Sequence, residues 1–164
     1  MQKQEAERQF EKHIKENELL IYKVCRMYAF TAADREDLFQ EIVIQLWNAY
    51  PKFRSESKFS TWLYRVALNT AITGLRKKEN LIESWEPAQL PEQTSEQNVG
   101  REEDLRQLHK AIAQLSRVEK AIVMLYMEDR TYEEMEEILG MSNGNLRVKM
   151  NRIKEKLRQL TKTN

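Results

Sequence analysis

Side chains that could contact nucleic acid are concentrated near the C-terminus of this chain. Arginine and asparagine can each make two hydrogen bonds to a base edge, whereas lysine more often pairs with a phosphate. An apolar stripe at helical spacing predicts the buried face of a helix and consists of Leu146, Met150, Ile153 and Leu157. The polar residues on its outer surface or flanks are the candidates for contact with DNA: Asn143, Asn145, Arg147, Lys149, Arg152 and Lys154.

The segment before this helix predicts a helix-turn-helix. Residues 116–119 (SRVE) and 131–134 (TYEE) fit capping boxes, in which Ser or Thr caps a helix and Glu bonds back to the cap. Residues 140–142 (GMS) predict a tight turn before the last helix, which is sized to enter a DNA major groove. The alternative is a solvated basic helix end, because cations are also favoured at helix C-termini.

A second candidate site lies in residues 52–65 (KFRSESKFSTWLYR), where aromatic and cationic residues alternate. Rings can stack on unpaired bases while cations follow the backbone, and an unstacked base can be held in a pocket. The alternative is that Phe53, Phe59 and Trp62 fill a small helical core, and for Trp62 we prefer it. For Ser57 and Lys58 we expect a functional role, because neither has a part to play in a core.

Residues that could support catalysis or bind a metal are scattered. His13, His109 and Cys25 are far apart and lack metal-ligand spacing. No Ser, Thr or Cys has a neighbouring His that would make it a nucleophile. The glutamates at 133, 134, 136 and 137 are adjacent, which predicts a solvated acidic face. We therefore expect neither an enzyme nor a cofactor-binding or metal-binding protein.

The N-terminal part predicts helices that would position the second site. Apolar residues between 10 and 28 recur near helical spacing, which fits one long helix or a broken pair. Asp34 is the predicted N-cap of the next helix, which carries Leu38, Ile42 and Trp47 and ends before Pro51. Ser60 is the predicted cap of a further helix that runs to about residue 78.

Composition and charge complete the picture. The 164 residues are 41% hydrophobic and 32% charged with four glycines, which suits a helix-rich protein and excludes a glycine-rich phosphate loop. The net charge of +1 hides two basic blocks, residues 57–78 and 143–164, which suggest two contacts with a polyanion. Between them, residues 79–100 carry five glutamates and two prolines, which predicts a linker.

We expect a cytoplasmic protein without membrane insertion. The sequence has a lone cysteine, no apolar N-terminal stretch and no long apolar run.

The predicted fold is therefore all-α, with two small helical domains joined by an acidic linker. The expected boundaries are 5–78 for the first domain, 79–104 for the linker and 105–160 for a four-helix domain that contains the helix-turn-helix.

Three motifs resemble those of bacterial sigma factors, and they occur in the family's order. Residues 34–47 (DREDLFQEIVIQLW) resemble the D-x-E-D-L-x-Q-E signature with its later L-W. Residues 59–69 (FSTWLYRVALN) are similar to the promoter-melting segment, and residues 132–142 (YEEMEEILGMS) to the C-terminal helix-turn-helix. Their spacing is similar to that of the small extracytoplasmic-function (ECF) class of the sigma-70 family.

The resemblance implies a promoter-specific transcription initiation factor with two protein-contacting surfaces. It implies docking of the first domain on the clamp coiled coil of core RNA polymerase through Asp37, Gln40, Glu41, Ile44 and Trp47. The second domain would bind the polymerase flap. An anti-sigma factor is a further implied partner, and no small-molecule substrate is expected.

The resemblance also implies two DNA contacts. The minus-ten promoter element would be recognised near Ser57, Lys58, Phe59, Arg65, Asn69 and Arg76. The last helix would read the minus-thirty-five element from the major groove. Relatives commonly have Thr and Ser where this chain has Asn145 and Val148, and many have His at the position of Asn151. Because valine cannot hydrogen-bond a base, we expect an unusual promoter preference.

Two other functions would use only part of these features. A stand-alone helix-turn-helix regulator needs only the C-terminal basic block, and it leaves residues 34–47 and the aromatic segment unexplained. A helical adaptor that binds proteins through its acidic faces explains neither basic block.

Overall fold

The computed structural model describes residues 1–53, 55–79 and 99–162, the side chains of 75–79 and 99–101 excepted. Secondary structure in these ranges is entirely helical. Contacts divide the described helices into two units, one before and one after residues 80–98. None of the described helices is both long and apolar enough to cross a membrane.

The first unit contains four α-helices and a 3₁₀ turn. Their bounds are α1 (Gln2–Glu16), α2 (Glu18–Tyr28), α3 (Ala32–Ala49), the 3₁₀ turn (Tyr50–Lys52) and α4 (Phe59–Glu79). Helices α2, α3 and α4 pack against one another around fully buried side chains that include Ile21, Val24, Ile42, Leu46, Leu63 and Tyr64. This core fixes the faces of α3 and α4 that point outward.

Of the two predicted alternatives, one long helix or a broken pair, the broken pair is present, with the break at Asn17. Its backbone N–H donates to the carbonyls of His13 and Ile14, and its side-chain Nδ2 donates to His13 at 2.9 Å. These bonds satisfy the end of α1, which allows α2 to start in a new direction. Helix α3 ends before Pro51 as predicted, and Pro51 lies in the following 3₁₀ turn.

Two predicted caps in this unit were wrong. Thr31, not Asp34, caps α3, because its Oγ1 accepts a hydrogen bond from the Asp34 backbone N–H at 3.0 Å. Asp34 instead contributes negative charge to the first turn, where the helix dipole favours it. Ser60 lies inside α4, whose first helical bond runs from the Trp62 N–H to the carbonyl of Lys58.

The second unit contains α5 (Val99–Ala113), α6 (Arg117–Met127), α7 (Tyr132–Leu139) and α8 (Asn143–Lys162). Helix α5 begins inside the segment predicted as a linker, and Glu102 in its first turn is favoured by the helix dipole. Helix α8 packs against the other three helices of the unit. Its buried Leu146, Met150 and Ile153 confirm the predicted apolar stripe, which ends in half-buried Leu157.

The caps of the second unit define the helix-turn-helix. Ser116 and Glu119 form the predicted reciprocal capping box. Thr131 caps α7 through the Glu134 N–H at 3.1 Å, while the Glu134 carboxylate accepts from Arg130 and from the Thr131 hydroxyl. Gly140 ends α7 with φ +69°, a left-handed conformation that glycine adopts without strain.

Candidate polymerase and nucleic-acid interfaces

The predicted polymerase-docking residues share one face of α3. Each of these residues has another member of the set three or four positions away, and such positions are neighbours on a helix surface: Asp37, Gln40, Glu41, Ile44 and Trp47. The three polar residues are exposed, and Ile44 keeps 51% of its surface in solvent. The face therefore offers hydrogen-bonding groups in its N-terminal part and apolar surface in its C-terminal part.

Trp47 has a role in folding as well as exposure. The indole is half-buried, and its ring centroid lies 5.0 Å from that of buried Phe10 on α1 in an edge-to-face arrangement. Phe10 also contacts Tyr50 at 5.3 Å. The exposed face of α3 is thus held from behind by α1.

An aromatic wall, defined here as Phe53, Phe59 and Trp62, stands at the start of α4. Trp62 lies 5.0 Å from Phe53 and 5.4 Å from Phe59, measured between ring centroids. All three side chains are half-buried, so each is partly packed and partly available. The two interpretations from the sequence, core packing and base stacking, therefore apply to the same rings.

A groove of about 480 Å³ lies against this wall. Predicted residues Ser57, Arg65 and Asn69 line it together with Phe53 and Trp62. Lys58 is exposed, and Phe59 belongs to the wall without lining the groove. The side chain of Arg76 lies outside the described residues. A ring wall faced by guanidinium, amide and hydroxyl groups can stack a base and hydrogen-bond its edge.

Four polar residues that line this groove were not among the predicted site residues, namely Gln45, Lys52, Glu56 and Thr70. Lys52 and Glu56 lie within the aromatic-cationic segment and could have been found there. Gln45 comes from α3, and no local signal connects it with α4, because only tertiary packing brings the two helices together.

The predicted minus-thirty-five residues occupy exposed or half-buried positions on α8. Asn145, Arg147 and Arg152 are exposed, whereas Asn143, Lys149 and Lys154 are half-buried. Ser142 caps the helix, since its Oγ accepts a hydrogen bond from the Asn145 N–H at 3.3 Å. Val148 is 49% exposed on the same helix, so an apolar side chain faces outward among the polar ones.

Two cations of α8 lie over tyrosine rings, and the sequence did not predict these contacts. The Arg147 guanidinium carbon is 4.6 Å from the centroid of Tyr132, and Lys154 Nζ is 4.8 Å from that of Tyr126. Arg147 Nε also donates to Asn143 Oδ1 at 2.7 Å. No sequence spacing predicts the ring contacts, because the tyrosines lie on other helices.

Comparison with known proteins identifies both units. The model for sigma-70 region 2 matches residues 13–80, and that for sigma-70 region 4 matches residues 105–157. The ECF RNA polymerase sigma-E factor of Escherichia coli K12 is 30% identical over 137 residues, which cover 76% of this chain and 72% of the relative. This chain belongs to the ECF sigma factors. The sigma factor SigW of Bacillus subtilis is 27% identical over 152 residues, covering 85% and 81% of the two chains.

Two solved structures share the fold of this chain. RpoE from Bartonella quintana, solved with the anti-sigma factor NepR, aligns with a TM-score of 0.74 and 20% identity, over 95% of this chain and 98% of that one. CnrH, solved with the cytosolic domain of CnrY, aligns with a TM-score of 0.68 and 16% identity, over 96% and 90%. The all-α prediction is thereby confirmed.

Membership in this family decides between the alternatives that the sequence left open. Sigma factors are non-catalytic initiation factors that act on RNA polymerase in the cell interior, so neither a stand-alone regulator nor an adaptor describes this chain. The groove and the α3 face fall within the region 2 match, and the outer residues of α8 fall within the region 4 match.

Burial and hydrogen bonding in this sigma factor account for the shifted pKa values of Cys25 and Glu134. Burial raises the pKa of the Cys25 thiol to about 11, so the thiol is uncharged at neutral pH. A hydrogen bond from Arg130 lowers the pKa of Glu134, and the same contact fixes the start of α7. His13 stacks on Phe59, and the described residues contain no His, Cys, Asp and Glu cluster that could hold a metal ion.

Proposed function

We propose that this sigma factor docks on core RNA polymerase through α3 and reads promoter DNA at two separate places. The first domain, residues 5–78, would contact the minus-ten element. The C-terminal domain, residues 105–160, would contact the minus-thirty-five element, with residues 79–104 spanning between them. The observation that carries the proposal is the groove beside the aromatic wall, because duplex DNA binding alone has no use for it.

Docking through α3 is supported by the composition of its outer face. Half-buried Trp47 and exposed Ile44 supply apolar contact area, and Gln40 and Glu41 supply polar groups next to it, a combination that protein interfaces use. Glu41 already accepts a hydrogen bond from Gln45 Nε2 at 3.1 Å, so its carboxylate is held in place on the helix. The clamp coiled coil of the polymerase is the proposed partner.

Minus-ten recognition is supported by the energetics of an extruded base. Extrusion from the stack costs a few kcal/mol. Stacking on aromatic residues returns about 1–3 kcal/mol per base. Arg65, Asn69 and Ser57 line the groove. Hydrogen bonds from these side chains to the base edge would supply the rest of the free energy of extrusion and would select the base. Exposed Lys58 is suited to follow the phosphate backbone of the separated strand.

Minus-thirty-five recognition is supported by the short turn at Gly140 and the outward polar face of α8. Arg147 and Asn145 are exposed near the N-terminal end of α8, where recognition helices of this kind contact base edges. Lys149, Arg152 and Lys154 follow along the helix and are suited to phosphate contacts.

An anti-sigma factor is a further proposed partner. The similar protein RpoE was solved with the anti-sigma factor NepR, and CnrH was solved with the cytosolic domain of CnrY. The first unit exposes Leu19 at 75%, Tyr22 at 45% and Ile44 at 51%. These apolar side chains could be covered by an inhibitor while the polymerase is absent.

Promoter opening by reconstituted holoenzyme tests the groove assignment. Permanganate reactivity of unpaired thymines is measured for Asn69→Ala and for Gln9→Ala, which removes an exposed amide from α1. Asn69→Ala should reduce opening while leaving polymerase binding and minus-thirty-five preference intact, and Gln9→Ala should behave as the native chain. Native opening by Asn69→Ala on every minus-ten sequence contradicts the assignment.

A further inference from the structure

Arg147 is restrained on two sides before any DNA is present. Its Nε donates to Asn143 Oδ1 at 2.7 Å, a short charge-assisted hydrogen bond from one helical turn earlier. Its guanidinium carbon lies 4.6 Å from the ring centroid of Tyr132, the first residue of α7. One partner thus holds an edge of the guanidinium and the other supports its face.

We propose that Asn143 and Tyr132 are positioning residues that fix Arg147 for a guanine in the minus-thirty-five element. The inference rests on the proposed reading of this element by α8. A guanidinium has five N–H donors, and the bond to Asn143 uses only the Nε–H. The two Nη groups retain the paired donors that match guanine O6 and N7.

The advantage of this arrangement is entropic. An exposed arginine that becomes ordered only on contact with a base loses rotamer freedom at that moment. Arg147 is exposed, but its bond to Asn143 and its contact with Tyr132 restrict those rotamers in advance. The loss on binding is smaller, and base selectivity increases because a misplaced guanidinium cannot make two bonds at once.

The geometry also changes the role predicted for Asn143. Bidentate reading of adenine by asparagine uses the side-chain oxygen and amide together. The Asn143 oxygen is engaged by Arg147, and the side chain is half-buried, so Asn143 serves Arg147 in place of a base. Asn145 is exposed and keeps the predicted role of a base reader.

Lys154 over Tyr126 provides an internal comparison. The ring-to-cation distance of 4.8 Å is similar, yet an ammonium is a point charge without a planar donor pair. Loss of the Tyr126 ring should therefore weaken binding to all sequences alike, whereas loss of the Tyr132 ring should affect one base position.

The test uses holoenzyme assembled from core polymerase and the full chain. Affinity is measured for duplex promoters in which each minus-thirty-five position carries each base in turn. Arg147→Ala should reduce the preference for guanine at one position by about 5- to 150-fold, which is the effect of losing one bidentate pair. Asn143→Ala and Tyr132→Leu should each lower the preference at that same position by about two- to tenfold. Tyr132→Phe should retain the preference, because the ring remains.

Coupling separates positioning from a merely structural role. In an Arg147→Ala background, Asn143→Ala and Tyr132→Leu should cause no further loss of selectivity. The unfolding midpoint of each variant checks the fold, and Asn143→Ala carries the test if Tyr132→Leu does not fold. Equal weakening on all sequences, as expected for Tyr126→Leu, or the same loss without Arg147, overturns the inference. If Arg147→Ala leaves the base preference unchanged at every position, the proposed base-reading role of Arg147 is wrong. That outcome is distinguishable from failure of the positioning role alone, in which Arg147→Ala still reduces the preference.

Discussion

The imidazole ring of His13 stacks on the phenyl ring of Phe59, with ring centroids 4.5 Å apart and an interplanar angle of 23°. Phe59 belongs to the aromatic wall, so α1 supports the wall from behind. Phe10, three residues earlier, supports the docking face of α3 through Trp47. Helix α1 therefore connects both proposed surfaces of the first unit, although its first 11 residues, 2–12, precede the region 2 match.

Removal of the Phe10 ring should destabilise the first unit. Phe10 is buried against Trp47 and Tyr50, and truncation of a buried Phe to Ala typically costs about 3–5 kcal/mol. We expect Phe10→Ala to lower the free energy of unfolding in urea by about 3 kcal/mol. Gln9→Ala, on the exposed side of α1, is the control. Equal stability of the two variants would mean that α1 is not docked.

Charge reversal on α3 should separate polymerase binding from folding. Glu41 is exposed on the proposed docking face, so Glu41→Lys should weaken competition for core polymerase and leave helicity unchanged. Glu7→Lys makes the same change of charge at an exposed position of α1, and this variant should compete normally. Unchanged competition by Glu41→Lys would remove this face from the proposed interface.

The stability that Glu119 adds should depend on pH. Partial burial acts to raise its pKa, but hydrogen bonds from Ser116 and the 3.4 Å ion pair with Lys156 outweigh burial and lower it. A lowered folded-state pKa means that the stabilisation is present above the unfolded-state pKa of about 4.3 and disappears as pH falls through the folded-state value. The native chain should therefore be more stable than Glu119→Gln at pH 7, and the difference should vanish in acid. Urea unfolding at several pH values measures it, and a constant difference would contradict the assigned shift.

The acidic segment between the two matched regions should act as an extended tether. Residues 80–98 of this segment lie outside the described residues, so the prediction rests on sequence. A flexible chain of about 20 residues reaches only about 25 Å, but extended it spans about 65 Å. Deletion of residues 87–95 should strongly reduce initiation, while a fragment ending near Lys78 should still fold and bind core polymerase. Full activity of the deletion, or an unfolded fragment by circular dichroism, would contradict this.

Local signals predicted the helices and most of their ends, because caps and apolar periodicity act within one or two turns. Gly140 and Ser116 were read correctly for that reason. Thr31 was missed in favour of Asp34 because both residue types cap helices, and the hydrogen bond from the Asp34 N–H to the Thr31 hydroxyl makes the earlier residue the cap. The contact of Tyr132 with Arg147 and the entry of Gln45 into the groove depend on packing between helices, which no spacing along the chain encodes.

Promoter selection by reconstituted holoenzyme tests the central claim most directly. Core polymerase with the native chain, Asn69→Ala or Arg147→Ala transcribes a randomised promoter library, and the start sites are sequenced. We expect chain-dependent starts downstream of two elements at fixed spacing. Asn69→Ala should alter preference only in the element nearer the start, and Arg147→Ala only in the upstream element. Starts that do not depend on the chain, or the same element altered by both variants, would contradict the account.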